Sequence, residues 1–150
     1  MNCRHCNEIL KDEFIDLGKA PPSNNYVSSD NINSPENYYP LKVMVCNNCW
    51  LVQTQDFNDA DELFTDEYAY FSSTSKSFIE HAKNYTTEII NYLKLNDESF
   101  VVELASNDGY LLQNFHQKKI PCLGIEPTKS TAKVSRKKGI ETLEDFFGTE

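Results

Sequence analysis

Two C-x-x-C pairs, Cys3-Arg4-His5-Cys6 and Cys46-Asn47-Asn48-Cys49, constrain this chain more than any other feature. A two-residue gap lets both thiolates of one knuckle reach the same tetrahedral ion, and two knuckles complete a closed four-cysteine site. The pairs lie 39 residues apart, beyond the usual ribbon spacing, so the residues between them must pack as a small subdomain. Disulfides are disfavoured in a reducing compartment, and a redox C-x-x-C would not explain two copies. The expected metal is therefore Zn²⁺ held by Cys3, Cys6, Cys46 and Cys49. A closed site leaves no position for water, so the role is structural rather than catalytic. His5, between two ligands, reads as a surface histidine or one lying behind the sulfurs. The fifth cysteine, Cys122, sits in an apolar strand and reads as a buried, inert thiol.

Charge and hydropathy exclude several classes. No apolar run approaches the roughly 18 residues of a membrane span, and the N-terminus has no apolar signal region. The default location is the cytoplasm. Residues 1–100 hold 7 Lys+Arg against 16 Asp+Glu, whereas residues 101–150 hold 7 of each, so the whole net charge of -9 lies in the first two thirds. An acidic surface repels phosphate backbones, so nucleic acid is a poor partner. A solvated, solubilising surface accounts for the acid without a basic ligand.

The chain reads as three parts. Residues 1–60 form the zinc module, with short strands expected at Glu13–Leu17, Leu41–Val45 and Trp50–Thr54 and loop-like stretches between them. Residues 61–98 form a helical connector. Phe78, Ala82, Tyr85, Ile89 and Tyr92 recur at helical steps and predict one buried face, and Ser77-Phe78-Ile79-Glu80 fits a capping box. Residues 99–150 alternate strand, helix, strand, helix and strand, which implies a parallel sheet. The strands are expected at Phe100–Leu104, Pro121–Glu126 and Glu141–Phe147, and the helices from Tyr110 to Lys119 and from Thr128 to Lys138.

In the last part a strand runs into a small-residue loop, Glu103-Leu104-Ala105-Ser106-Asn107-Asp108-Gly109, and then into a helix. Such a loop brings the chain close to a ligand at the carboxyl end of a parallel sheet. It is not G-x-G-x-x-G, which disfavours a pyrophosphate-binding loop. Glu126 ends the next strand, 23 residues after Glu103. An acid there suits ribose hydroxyls, but any doubly wound fold can carry an acid at a strand end. Spacing alone leaves both readings open.

These segments together resemble the family of sugar C-methyltransferases that act on nucleotide-linked keto-deoxysugars and begin with a zinc-binding domain. The resemblance rests on the Cys pairs, Phe14–Gly18, Pro21–Asn24, Tyr68–Ser73, Glu103–Gly109 and Gly124–Pro127, and runs along almost the whole chain. It implies an α/β fold: a small zinc module, a helix, and the first part of a Rossmann-like class I methyltransferase domain. It also implies S-adenosylmethionine as cofactor. Glu103, Ala105, Ser106, Asn107, Asp108 and Gly109 would hold its methionine and ribose portions, with Glu126 on the ribose hydroxyls and Asp145 and Phe146 near the adenine. Asn24, Ser72 and Ser73 would face the sugar nucleotide. Tyr68 and Tyr70 would donate hydrogen bonds to substrate or enolate, with plain aromatic packing an equal alternative. The chemistry would be proton removal beside a ketone and methylation of the resulting enolate. Family members are longer, so the chain reads as their N-terminal part, inactive alone, with the histidine base expected beyond Glu150. The competing reading is a non-catalytic zinc-ribbon interaction module fused to a partial Rossmann domain.

Overall fold

The computed structural model describes residues 1–57, 64–65 and 68–148. The boundary expected near residue 60 falls outside them. The chain divides into two units, Met1–Leu63 and Phe64–Glu150.

In the first unit the apolar residues are too few to form a core without help. Its buried cluster is Cys3, Leu10, Met44 and Cys46, with Cys6 and Cys49 packed against it. All five cysteines of the chain are free thiols. Around this cluster runs an antiparallel sheet in the order β1 (Asp12–Ala20), β2 (Tyr39–Val45), β3 (Val52–Thr54). A lone bridge between Asn2 and Ile9 closes the first knuckle. The expected strands are all present, and the first two are longer than alternation alone indicated. β1 is solvent-exposed along nearly its whole length. Two register shifts interrupt its pairing with β2, and such irregularities blunt an edge strand against further pairing. Lys42 ties it to β2 through Glu13 (2.8 Å) and Asp16 (2.9 Å), and this lysine holds the Asp16 carboxyl below its usual range.

The second unit is an α/β layer. Helix α1 (Lys76–Leu93) precedes β4 (Val101–Leu104), α2 (Leu112–Gln117), β5 (Cys122–Ile125), α3 (Lys129–Lys137) and β6 (Glu141–Leu143). The sheet is parallel in the order β4-β5-β6, as the strand–helix alternation requires. The core is Leu112, Phe115, Ile120 and Ile140, with Ile89 and Ile90 of α1 packed on it.

Two local expectations about α1 are corrected. The N-cap is Ser75, whose hydroxyl accepts the Phe78 N–H at 3.3 Å, and not Ser77. The buried residues of the helix are Ala82 and Thr86, while Tyr85 and Tyr92 lie exposed. The packed face is thus turned about one residue from the expected one. Thr86 is tolerated inside because its hydroxyl donates to Ala82 O at 2.7 Å. No helix among the described residues is long and apolar enough to cross a membrane.

Candidate functional site

The two cysteine knuckles share one backbone design. The N–H of the residue just after each pair folds back: Asn7 donates to Cys3 O (3.0 Å) and Trp50 to Cys46 O (2.9 Å). The N–H of Cys3 donates to Glu8 O (2.8 Å) and that of Cys46 to Leu51 O (3.0 Å). Asn7 and Trp50 both take left-handed φ values, 61° and 63°. The four sulfurs converge, with Cys3–Cys49 and Cys6–Cys46 at 3.5 Å and all four within 4.8 Å of one another. A tetrahedral ion with Zn–S bonds of about 2.3 Å would set the sulfurs about 3.8 Å apart, so the cage fits zinc.

The thiols are crowded. The N–H of Cys6 chiefly, with His5 N–H and Gln53 against the raising effect of burial, draws the Cys3 thiol down to about 6. At Cys49 the Leu51 N–H draws the thiol down, but burial and the other three sulfurs outweigh it and push it up to about 12. A fourth thiolate among three is unfavourable until a cation joins them, and a bound metal supplies that cation. Gln53 is the residue that spacing did not reveal. Buried on β3, it donates to Cys3 Sγ at 3.3 Å and accepts the Arg4 N–H at 3.1 Å, fixing the first knuckle to the sheet. His5 lies exposed at the surface.

The second unit carries a cleft of about 500 Å³ at the carboxyl ends of β4, β5 and β6. Phe64, Tyr68, Tyr70, Phe78, Tyr110 and Phe146 give it aromatic walls. Tyr110 stacks on Phe78 at 4.9 Å, and Phe64 meets both Tyr68 and Phe146. Ser72, Ala105, Asn107, Glu126 and Asp145 supply its polar and backbone surface. Parallel sheets place ligand sites here because the loops that follow the strands diverge.

The loop after β4 is folded tightly. Ala105 and Asn107 take left-handed φ values, 55° and 51°. Glu126, only 4% exposed, clamps the loop: its two oxygens accept the N–H groups of Asn107 and Thr128, each at 2.9 Å. Gly109 has φ +74°, and an added Cβ would fall 2.6 Å from Ile140 Cδ1 and 2.7 Å from Ser135 Oγ. This glycine is thus needed for close packing of the loop on Ser135 of α3 and on Ile140.

The expected cofactor residues separate into two layers. Ala105, Asn107, Glu126, Asp145 and Phe146 line the cleft. Glu103, Ser106, Asp108 and Gly109 lie behind that wall. Burial first, then the charges of Asp108 and Glu126, push the Glu103 carboxyl up to about 8. Asp108 is 0% exposed. Its carboxylate takes the Ser73 hydroxyl, and Lys138 Nζ lies 3.6 Å from it while donating to the Asp108 backbone O at 2.7 Å. One oxygen each of Glu103, Ser106 and Asp108 is buried without a hydrogen-bond partner, which leaves polar capacity around the loop. Tyr68, Tyr70 and Ser72 line the cleft, whereas Ser73 is turned to Asp108. Asn24 belongs to the first unit, half-buried in the loop after β1 with φ 60°. Cys122 is half-buried against the core, its thiol pushed up by burial and by Glu103.

Residues 3–64 match the family described as "Putative zinc binding domain", almost the span of the first unit. Over 148 residues, 99% of its length, the chain is 30% identical to the C-methyltransferase NovU of Streptomyces niveus. Together these likenesses support a place beside the C-methyltransferases. The chain spans about a third of that relative's length, 35%. The likeness to that relative extends through both the zinc module and the unit that carries the cleft.

Proposed function

We propose that these residues form the zinc- and cofactor-binding part of an S-adenosylmethionine-dependent C-methyltransferase acting on a nucleotide-linked keto-deoxysugar in the cytoplasm. The observation that carries the reading is the aromatic-walled cleft at the carboxyl ends of the parallel strands, with Glu126 at its floor, in a chain related to a C-methyltransferase.

The residues suit the cofactor. A carboxylate offers about four acceptor positions, so Glu126 retains capacity for ribose hydroxyls after taking two backbone N–H groups. Ala105 and Asn107 present the loop to the methionine portion, backed by Glu103, Ser106, Asp108 and Gly109. Asp145 and Phe146 would bracket the adenine, and aromatic faces also favour a neighbouring positive charge. When bound, S-adenosylmethionine supplies an electrophilic methyl group on a sulfonium. Tyr68, Tyr70 and Ser72 would hydrogen-bond the sugar nucleotide, with Ser73 supporting them through Asp108. None of these groups is placed as the proton-abstracting base, so the 150 residues are assigned binding rather than turnover. Zinc in the four-cysteine cage is assigned a structural role, because a closed site has no open coordination position.

Calorimetry with S-adenosylhomocysteine on zinc-loaded protein tests the reading. Binding should occur, and Glu126→Ala should weaken it by roughly ten- to a hundredfold, the value of a charge-assisted pair of hydrogen bonds. Cys122→Ala should change it little. A folded, zinc-loaded protein that binds no S-adenosylhomocysteine would instead support the non-catalytic interaction module.

A further inference from the structure

We infer that Asn107 is a positioning residue: its carboxamide holds the wall of the cleft that carries Tyr68 and Tyr70, so that filling the cofactor side orders the substrate side. The inference rests on the cofactor reading above and assigns a coupling within that site.

Asn107 is buried, and its carboxamide is engaged entirely with backbone. Oδ1 accepts the Ser72 N–H at 2.9 Å, and Nδ2 donates to Tyr70 O at 3.1 Å. One side chain thus gives residues 70–72 the donor and acceptor that a neighbouring strand would otherwise provide. The stretch needs this support, because Tyr68 to Phe71 lie outside any helix or strand and a buried N–H without a partner is costly. On its other side, the N–H of Asn107 donates to Glu126 Oε2 at 2.9 Å. The ribose end of the cleft and the tyrosine wall are therefore two hydrogen bonds apart, joined through a single residue. Asp108 adds a parallel link by accepting the Ser73 hydroxyl, with Lys138 holding it in place.

The residue type follows from these demands. At φ 51° the backbone favours glycine, asparagine or aspartate. Of these only asparagine offers both a donor and an acceptor from its side chain. A ligand that engages Glu126 acts on a carboxylate already bonded to Asn107, and restrains the stretch that Asn107 supports.

The test is amide hydrogen exchange on the zinc-loaded chain, with and without saturating S-adenosylhomocysteine, for wild type, Asn107→Gly and Asn107→Asp. Glycine keeps the left-handed backbone without strain and removes the carboxamide. Aspartate keeps the acceptor for the Ser72 N–H and loses the donor to Tyr70 O. In the wild type the ligand should slow exchange at residues 68–73 as well as at 123–128. In Asn107→Gly, at a ligand concentration that saturates the variant, slowing at 123–128 should remain. Residues 68–73 should exchange about tenfold faster than in wild type and no longer respond. Asn107→Asp should restore protection at the Ser72 amide. If 68–73 respond equally in Asn107→Gly, or fail to respond in wild type while calorimetry shows ligand bound, the coupling is overturned and the cofactor reading stands. If the wild type binds no ligand, both fall.

Discussion

Each unit of this chain contains a three-stranded sheet, yet the two are held by different physics. The antiparallel sheet of the first unit encloses a cluster of four buried apolar residues, two of which are cysteines of the cage. The second unit has a core of Leu112 and Phe115 from α2 with Ile120 and Ile140, against which Ile89 and Ile90 of α1 pack. It also buries hydroxyl pairs such as Ser135 with Thr142, 2.8 Å apart. A strand as exposed as β1 contributes little apolar burial, so the first unit depends on cross-linking by a metal. The second buries enough surface to depend on packing. A site held by metal is rigid where the ion is, whereas a site held by packing is shaped by the loops at the sheet's edge.

Removing zinc is the strongest way to break this comparison. With a chelator, or in Cys46→Ser, the first unit should lose its fold, since a structural Zn²⁺ site contributes on the order of 10 kcal/mol or more. The amides of Cys3 and Cys46 should lose exchange protection while those of α2 and α3 keep theirs. A first unit that stays protected without metal would show that its small core suffices. Zinc analysis of protein purified without added metal should find about one ion per chain.

The converse experiment truncates the second core. Ile140 is 1% exposed, and Ile140→Ala should destabilise that unit by about 2–5 kcal/mol through lost burial and a cavity. Zinc content should not change. Loss of zinc in this variant would mean that the two units fold as one.

The smallest effect concerns charge. Glu103 has a folded-state pKa of about 8 against an ordinary value of 4.5. Over that interval the folded chain keeps a proton that the unfolded chain releases. Its contribution to stability is therefore fully present below about pH 4.5 and is lost as pH rises through about 8. Glu103→Gln stays neutral throughout, so the wild type should lose about 1–3 kcal/mol relative to the variant between pH 5 and 9. Thermal melts of both proteins across that range measure it. Parallel pH profiles would show that the carboxyl is not desolvated.

Much of the fold can be read from local pattern. Short apolar runs between turn-rich stretches located the strands, and partial alternation in Leu41–Val45 marked a half-buried one. The order of strand and helix after residue 100 requires a parallel sheet, since a helical crossover returns the chain in the same direction. The doubled C-x-x-C identified the four residues of the cage before any distance was known.

The face of α1 was not legible. Phe78, Tyr85 and Tyr92 stand beside Ile79, Ile89 and Ile90 on overlapping apolar arcs, and periodicity cannot choose between them. The choice belongs to the neighbours: Ile89 and Ile90 meet the core, and Tyr92 is left at 79% exposure. Nor does sequence reveal that Gln53 supports Cys3, 50 positions away, or that Asn107 supports Tyr70 and Ser72 across 35 or more. Hydrogen bonds of that span leave no periodic trace along the chain.

The sequence by itself singled out the candidate residues: four cysteines for a metal, a loop between a strand and a helix, and an acid at the next strand's end. These follow from residue type and from spacing along single elements, which are local quantities. Only the tertiary structure decided how those residues are used. It turned Glu103 and Asp108 behind the cleft wall, engaged Glu126 with backbone N–H groups and required Gly109 for packing. Each of these outcomes depends on which atoms a side chain meets after distant segments come together, and burial and hydrogen bonding are decided at that point.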